Sequence, residues 1–228
     1  MRTLTVITGP SGSGKTTLAK LMVDQYNYTR VITTTSRPPR EGEQDGVDYH
    51  FVSKGDFNEA LMAKKFVEAA VYDGNYYGIT YDALNAAASV TGRAVAVCEI
   101  EGYLALRDRF NEQLAPEIVE AWRAGTLPVV SDHVDLSVSG IFLDNSVEEL
   151  MRRLKARGDK DVDSRFDLLR RDRQDIAHFL GHHNNTRCLY APTMKQLRTF
   201  LDSYIPYNKM PRLLSLQKWK DKVERRGS

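Results

Sequence analysis

The chain has 228 residues, with 32 Lys and Arg against 30 Asp and Glu, a net charge of +2, 42% hydrophobic and 27% charged residues. That is enough chain to bury one large core or two small ones, and the near-balanced charge gives no global basis for nucleic-acid binding. Two cysteines, Cys98 and Cys188, exclude a disulfide scaffold, and no Cys/His cluster has zinc spacing.

The first element is a strand over 3–8, carried by Leu4, Val6 and Ile7. Directly after it, Gly9-Pro10-Ser11-Gly12-Ser13-Gly14-Lys15-Thr16 fits the phosphate-loop pattern G-x-x-x-x-G-K-[ST] at every fixed position. Each fixed residue has a task. Gly9 and Gly14 let the backbone turn so that successive N–H groups face phosphate oxygens, Lys15 brings a mobile positive charge, and the Thr16 hydroxyl can sit on Mg2+. The pattern over 15–26, including Thr17 and Leu18, is helical, so the bound anion lies at a helix N-terminus.

Further strands are expected over 30–34, 94–98 and 139–143, with a weaker one near 187–190. Helices are expected over 102–114, 146–157, 163–180 and 193–204. This alternation predicts an α/β fold, a parallel sheet flanked by helices. Residues 33–80 break the rhythm with Gly, Tyr, Asp and Arg, and pieces such as Tyr49-His50-Phe51-Val52 look antiparallel and partly exposed; the segment reads as a subdomain inserted into the core. Residues 111–139, with Pro116 and Pro128, form an unusually long connection. Residues 206–228 hold seven Lys and Arg against Asp221 and Glu224, leaving 25 basic and 28 acidic residues in the rest. A short charged terminal helix explains this extension better than nucleic-acid contact. No apolar stretch approaches the ~20 residues that span a bilayer, and the N-terminus shows no signal-peptide pattern, so a cytoplasmic protein is expected.

A second constellation follows the phosphate loop: Thr33-Thr34-Thr35-Ser36-Arg37-Pro38-Pro39-Arg40-Glu41-Gly42-Glu43, then Gly46-Val47-Asp48-Tyr49-His50-Phe51, Phe66-Val67-Glu68, and Asn75-Tyr76-Tyr77-Gly78. Two arginines three apart, followed by tyrosines, suit a phosphate dianion, which a guanidinium fork binds bidentately. A lone acid in a neutral stretch, Glu68, can accept from two adjacent donors such as the N1–H and 2-amino group of guanine; adenine has no such pair, and the difference is worth about 1–3 kcal/mol.

Taken in order, these motifs resemble the guanylate kinase family over residues 1–106 and again over roughly 140–180. The resemblance implies a P-loop kinase with a core of 1–32 and 81–205, a monophosphate-binding subdomain over 33–80, a lid at about 157–165, and a basic extension over 206–228. It implies ATP held by Gly9 to Thr17, and GMP or dGMP held by Arg37, Arg40, Tyr49 and Tyr77, with Glu68, Thr33 and Thr80 at the base. Ile79, where the family has a small hydroxyl residue, and Thr33, where serine is common, are departures at the base pocket.

Two more stretches match in part. In Val97-Cys98-Glu99-Ile100-Glu101-Gly102, Glu99 and Glu101 stand where the family has Asp-Ile-Asp; they can orient water on Mg2+, Glu101 slightly favoured over Glu99, and Glu101 is also expected at the substrate. Met151-Arg152-Arg153-Leu154-Lys155-Ala156-Arg157-Gly158 resembles the opening of the kinase lid, which implies that Arg153, Arg157 and Arg165 stabilise charge during phosphoryl transfer. Arg170, Arg171 and Arg173 compete with Arg165 and otherwise read as a charged helix face. His178 and His182, four apart, read as a solvated or capping pair rather than metal ligands.

The implied reaction is ATP-dependent phosphorylation of GMP or dGMP with Mg2+, closure of the lid excluding water. Neither a membrane nor a nucleic-acid partner is expected. The rivals are a kinase of the same fold acting on another nucleoside monophosphate, a modified purine monophosphate or a ribose bisphosphate, and a non-catalytic domain that binds phosphopeptides.

Overall fold

The computed structural model describes residues 2–111, 136–159, 162, 166–180, 186–190 and 193–204. Residues 112–135 of the long connection, Arg165 with most of the expected lid, His182 and the basic extension lie outside the described residues. The elements are β1 (Arg2–Thr8), α1 (Lys15–Tyr26), β2 (Thr29–Arg30), β3 (Thr34–Thr35), β4 (His50–Phe51), α2 (Lys54–Met62), β5 (Phe66–Tyr72), β6 (Asn75–Thr80) and α3 (Tyr81–Thr91). They continue with β7 (Arg93–Val97), α4 (Ile100–Asn111), β8 (Leu136–Asp144), α5 (Val147–Ala156), α6 (Phe166–Leu180), β9 (Thr186–Tyr190) and α7 (Met194–Tyr204).

The main sheet has the order β2-β7-β1-β8-β9, with β2 parallel to β7 and β8 parallel to β9. Three of its strands bury consecutive residues rather than alternate ones: Leu4 to Ile7 in β1, Ala94 to Ala96 in β7, and Ile141 to Leu143 in β8. Consecutive burial marks strands covered on both faces. Among the described residues no helix is long and apolar enough to cross a membrane.

The chain divides into two compact units, and β1 and β8 contribute to both. The first comprises 1–6 and 28–139. It contains a second sheet of order β4-β3-β6-β5. Strands β5 and β6 form an antiparallel hairpin closed by Asp73-Gly74, both at positive φ, the two-residue turn whose twist suits a hairpin. Helix α3 packs on β7 and β2, and α4 on β5. Helix α3 starts at Thr80, whose Oγ1 accepts the Ala83 N–H, and ends at Gly92.

The second unit comprises 7–27 and 140–228. Ser146 caps α5 by accepting the Glu149 N–H, and the apolar face of α5 (Leu150, Leu154) clusters with Val162 and with Leu169 of α6. Tyr26 of α1 donates to Asp202 of α7 at 2.7 Å.

Three expectations need correction. Tyr49–Val52 contributes β4, which pairs with β3 in parallel (Thr34↔His50, Thr35↔Phe51), not antiparallel. The connection from Ser36 to Tyr49 is far longer than a hairpin turn, and a long connection returns the chain to the end from which it started. The strand expected over 30–34 splits into β2 and β3, which belong to different sheets. Residues 136–139 extend β8 rather than ending the irregular connection. Helices α2 and α3 had no counterpart in the expected pattern.

Candidate active site

The donor half is built within the second unit from the segment joining β1 to α1. Gly9 has φ +145°, and a Cβ there would stand 2.0 Å from the Leu143 carbonyl oxygen. No other residue fits this close approach to β8. Gly14, the N-cap of α1, is left-handed at φ 101° and supplies no side chain to cap the helix. The first N–H groups of α1 therefore lack a capping side chain, the condition under which a helix N-terminus accepts an anion. Lys15 Nζ donates to the Gly9 and Pro10 carbonyl oxygens, holding the ammonium over the loop. The Ser13 Oγ and Thr8 Oγ1 are buried with no hydrogen-bond partner among the described residues. Thr16 and Thr17 are exposed at the start of α1.

The arginines expected at the lid divide by partner. Arg153 donates through Nε to Glu149 at 2.8 Å and through a second nitrogen to the Gly12 carbonyl at 3.4 Å, which brings it to the phosphate loop. The Arg157 fork is closed on Asp159 by two bonds of 2.6 Å. Arg165 lies outside the described residues, as do the surroundings of Arg171. Arg170 lies over the Phe166 ring, 6.0 Å from its centre. Arg173 makes a bidentate pair with Asp144 at 2.9 and 3.1 Å. Asp144 is buried at the end of β8; burial pushes its carboxyl up, although Arg173 pulls it down.

The acceptor half is built within the first unit. Arg37 donates from one guanidinium nitrogen to both oxygens of Glu43, each at 2.9 Å, and the same carboxylate accepts the Arg40 N–H at 2.7 Å. Glu43 thus fixes the bend that carries both arginines. The Arg37 guanidinium lies 5.5 Å from the Tyr49 ring centre, and Tyr49 meets Tyr77 edge-on at 6.3 Å. Burial, with Tyr77 nearby, holds the Tyr49 hydroxyl above its usual range, so it stays a donor. Arg37, Tyr49 and Tyr77 are brought together, and the Arg40 side chain is exposed beside them. Two residues outside the expected set hold the loop: Arg30 donates to the Asp48 carbonyl at 2.9 Å, and Asp48 accepts the Gln44 N–H at 2.9 Å.

Glu68 is the electrostatic centre of this half. A bulge between Phe66 and Glu68 breaks the alternation of β5, so Phe66, Val67 and Glu68 are all buried. Glu68 is only 6% exposed, and its Oε1 has no hydrogen-bond partner among the described residues. Burial pushes its carboxyl up to about 7, with Glu99 adding to the rise and a backbone hydrogen bond from Ile79 opposing it. A buried carboxylate with an open oxygen has a strong demand for N–H donors. Thr33 is also buried; Ile79 is fully buried, and the Thr80 hydroxyl already serves as the α3 cap. Glu99 is half-buried before α4, and Glu101 is exposed in its first turn.

Among the described residues, no three His, Cys, Asp or Glu side chains converge as a metal cage. The hydroxyl of Thr16 and the carboxylates of Glu99 and Glu101 are hard oxygen donors. Oxygen donors of this kind suit Mg2+, which is commonly carried by nucleotide phosphates and water rather than held by protein alone.

A family model described as guanylate kinase matches residues 1–119. The chain is 34% identical to the guanylate kinase of Neisseria meningitidis serogroup A over 184 residues, covering 77% of this chain and 85% of that protein. It is 31% identical to the guanylate kinase of Schizosaccharomyces pombe over 177 residues, covering 76% and 75%. The crystal structure of guanylate kinase from Anaplasma phagocytophilum matches the fold with a TM-score of 0.60 over 96% of this chain and 93% of that one, at 19% identity. With a complete phosphate loop in one unit and the arginine–tyrosine cluster and buried acid in the other, this chain belongs to the guanylate kinase family.

Proposed function

We propose that this chain is a cytoplasmic kinase that transfers the γ-phosphoryl group of ATP to GMP or dGMP, giving ADP and GDP or dGDP. The observation that carries the choice of acceptor is Glu68, a buried carboxylate with an unpartnered oxygen. Guanine presents two adjacent N–H donors to such a group, whereas adenine presents one donor and one acceptor.

The phosphates of ATP lie along Gly9 to Thr17, cradled by backbone N–H groups, and Lys15 turns from the Gly9 and Pro10 carbonyls toward the outer phosphates. The acceptor's phosphate replaces water on Arg37, Arg40, Tyr49 and Tyr77, and Glu43 keeps Arg37 from wandering. Glu68 accepts from the base, with Thr33 and Thr80 beside it. An oxygen of the acceptor phosphate attacks the γ-phosphorus in line, and the β–γ bridging oxygen leaves with ADP. No covalent enzyme intermediate is involved. Arg153 and Arg157 oppose the charge that develops on the transferring group; Arg157 exchanges Asp159 for phosphate to do so. Thr16 in one unit, and Glu99 or Glu101 in the other acting through water, are the residues that would hold Mg2+ arriving with ATP, and the ion would supply neutralisation of phosphate charge.

Initial rates of ATP consumption with GMP, dGMP, AMP, dTMP and ribose bisphosphate test the acceptor. GMP and dGMP should lead. Preference for a non-guanine acceptor by about tenfold or more, about 1.4 kcal/mol in the opposite sense to the discrimination expected of Glu68, would refute the assignment.

A further inference from the structure

Gly102 lies in the first turn of α4, buried, with no positive φ to account for it. Glycine at such a helical position costs about 1 kcal/mol relative to alanine. Its value is the space it leaves. A Cβ built at Gly102 would stand 2.6 Å from Glu68 Oε2, 3.1 Å from Glu68 Cδ and 3.2 Å from Cys98 Cβ. The Glu68 carboxylate rests against the bare backbone of α4 on one side, and on the other its Oε1 is left without a partner among the described residues.

We propose that Gly102 is a specificity-determining position of the acceptor site: the gap it leaves in α4 seats the Glu68 carboxylate so that both oxygens meet the N1–H and 2-amino group of guanine. This rests on the proposed role of Glu68. Three groups fix the carboxylate from separate elements: the bulge in β5 that turns the side chain inward, the Ile79 backbone of β6, and the face of α4 at Gly102. Only the last can be altered without touching the acid or the sheet.

The closest collision of a methyl at Gly102 is with the far end of a flexible side chain, Glu68 Oε2, not with backbone; its approach to Cys98 Cβ at 3.2 Å asks for a shift of only a few tenths of an ångström. The fold can therefore absorb it by moving the carboxylate, while the helix gains from alanine. Stability and base reading should respond in opposite senses, which a purely structural glycine does not predict.

The experiment uses the full chain with ATP and compares kcat/KM for GMP and for inosine monophosphate, which lacks the 2-amino group. Gly102→Ala should lower kcat/KM for GMP by ~10-fold or more, in keeping with misplacement of a positioning group by about 1 Å. The GMP-to-inosine-monophosphate ratio should fall with it, while KM for ATP holds and the melting temperature holds or rises. An unchanged ratio overturns the proposal. Should Gly102→Ala lower the melting temperature, the Glu68→Asp background decides: the shorter acid clears the methyl, so adding Gly102→Ala should change the ratio by less than about twofold. An equal drop in both backgrounds overturns the proposal. Glu68→Gln separates the two levels. If it leaves the ratio unchanged, the role of Glu68 itself is wrong; if it collapses the ratio and Gly102→Ala does not, only the inference about Gly102 fails.

Discussion

Glu68→Gln should stabilise the protein while removing guanine recognition, and the gain should depend on pH. In the folded chain the Glu68 carboxyl is pushed up to about 7 from 4.5, with burial the main cause. A raised acid favours the protonated folded state. The stability it contributes is fully present below the unfolded value and is lost as pH rises toward 7. A tenfold change in proton affinity is worth about 1.4 kcal/mol, so the interval between 4.5 and 7 amounts to about 3 kcal/mol. Glutamine keeps the shape and cannot ionise. Thermal melts of the two proteins from pH 4 to 9 measure the difference directly. The stability difference in favour of Glu68→Gln should grow between pH 4.5 and 7 and level off above; in a chain of this size, 1 kcal/mol moves the midpoint by about 2–4 °C. GMP should narrow the gap at pH 8, because it supplies the donors that the ionised carboxylate lacks. Parallel melting curves across the whole pH range would refute the account of Glu68 as an uncompensated buried acid.

Three further outcomes are expected. Lys15→Ala should reduce turnover by ~10³-fold or more with the fold intact by circular dichroism, since on the proposed reading the ammonium is the mobile charge on the donor phosphates. Arg37→Lys should raise KM for GMP by about tenfold and leave KM for ATP unchanged in steady-state assays, because lysine cannot reproduce the fork that meets Glu43 and phosphate together. Arg173→Met should cost about 3 kcal/mol in chemical denaturation, leaving Asp144 buried without its cation, whereas Asp144→Asn should cost less because Arg173 keeps a neutral acceptor and has partial access to solvent.

The donor half was legible in the sequence because a phosphate loop is made by contiguous backbone: spacing alone determines which N–H groups converge. The arginine–tyrosine set was legible as chemistry, but its assembly was not. Glu43 holding Arg37, and Arg30 holding the Asp48 carbonyl, depend on the path of a long loop between two short parallel strands. Helices α2 and α3 do carry local signals, the Ser53–Asp56 capping box and the Thr80 cap with a left-handed Gly92; these are hard to read within a stretch dominated by turn residues. Arg173 shows the opposite limit. On a helix bearing several arginines, no local feature distinguishes the one that meets a buried acid 29 residues away. The gap at Gly102 was equally hidden, since it depends on a bulge in β5 that turns Glu68 toward α4.

The two halves are organised by different physics, and this predicts how substitutions act on each. The donor half holds its geometry through backbone: Gly9 against Leu143, Gly14 opening α1, Arg153 on the Gly12 carbonyl. Changes there deform the loop and should affect stability and activity together. In the other unit, Glu68, the proposed base reader, keeps a destabilising arrangement, a carboxylate buried without a full set of donors. On the proposed role of Glu68, binding energy from guanine is available there because the protein itself has not already satisfied that group. Substitutions at Glu68 or in the space around it should therefore separate stability from specificity, raising the first as they erode the second.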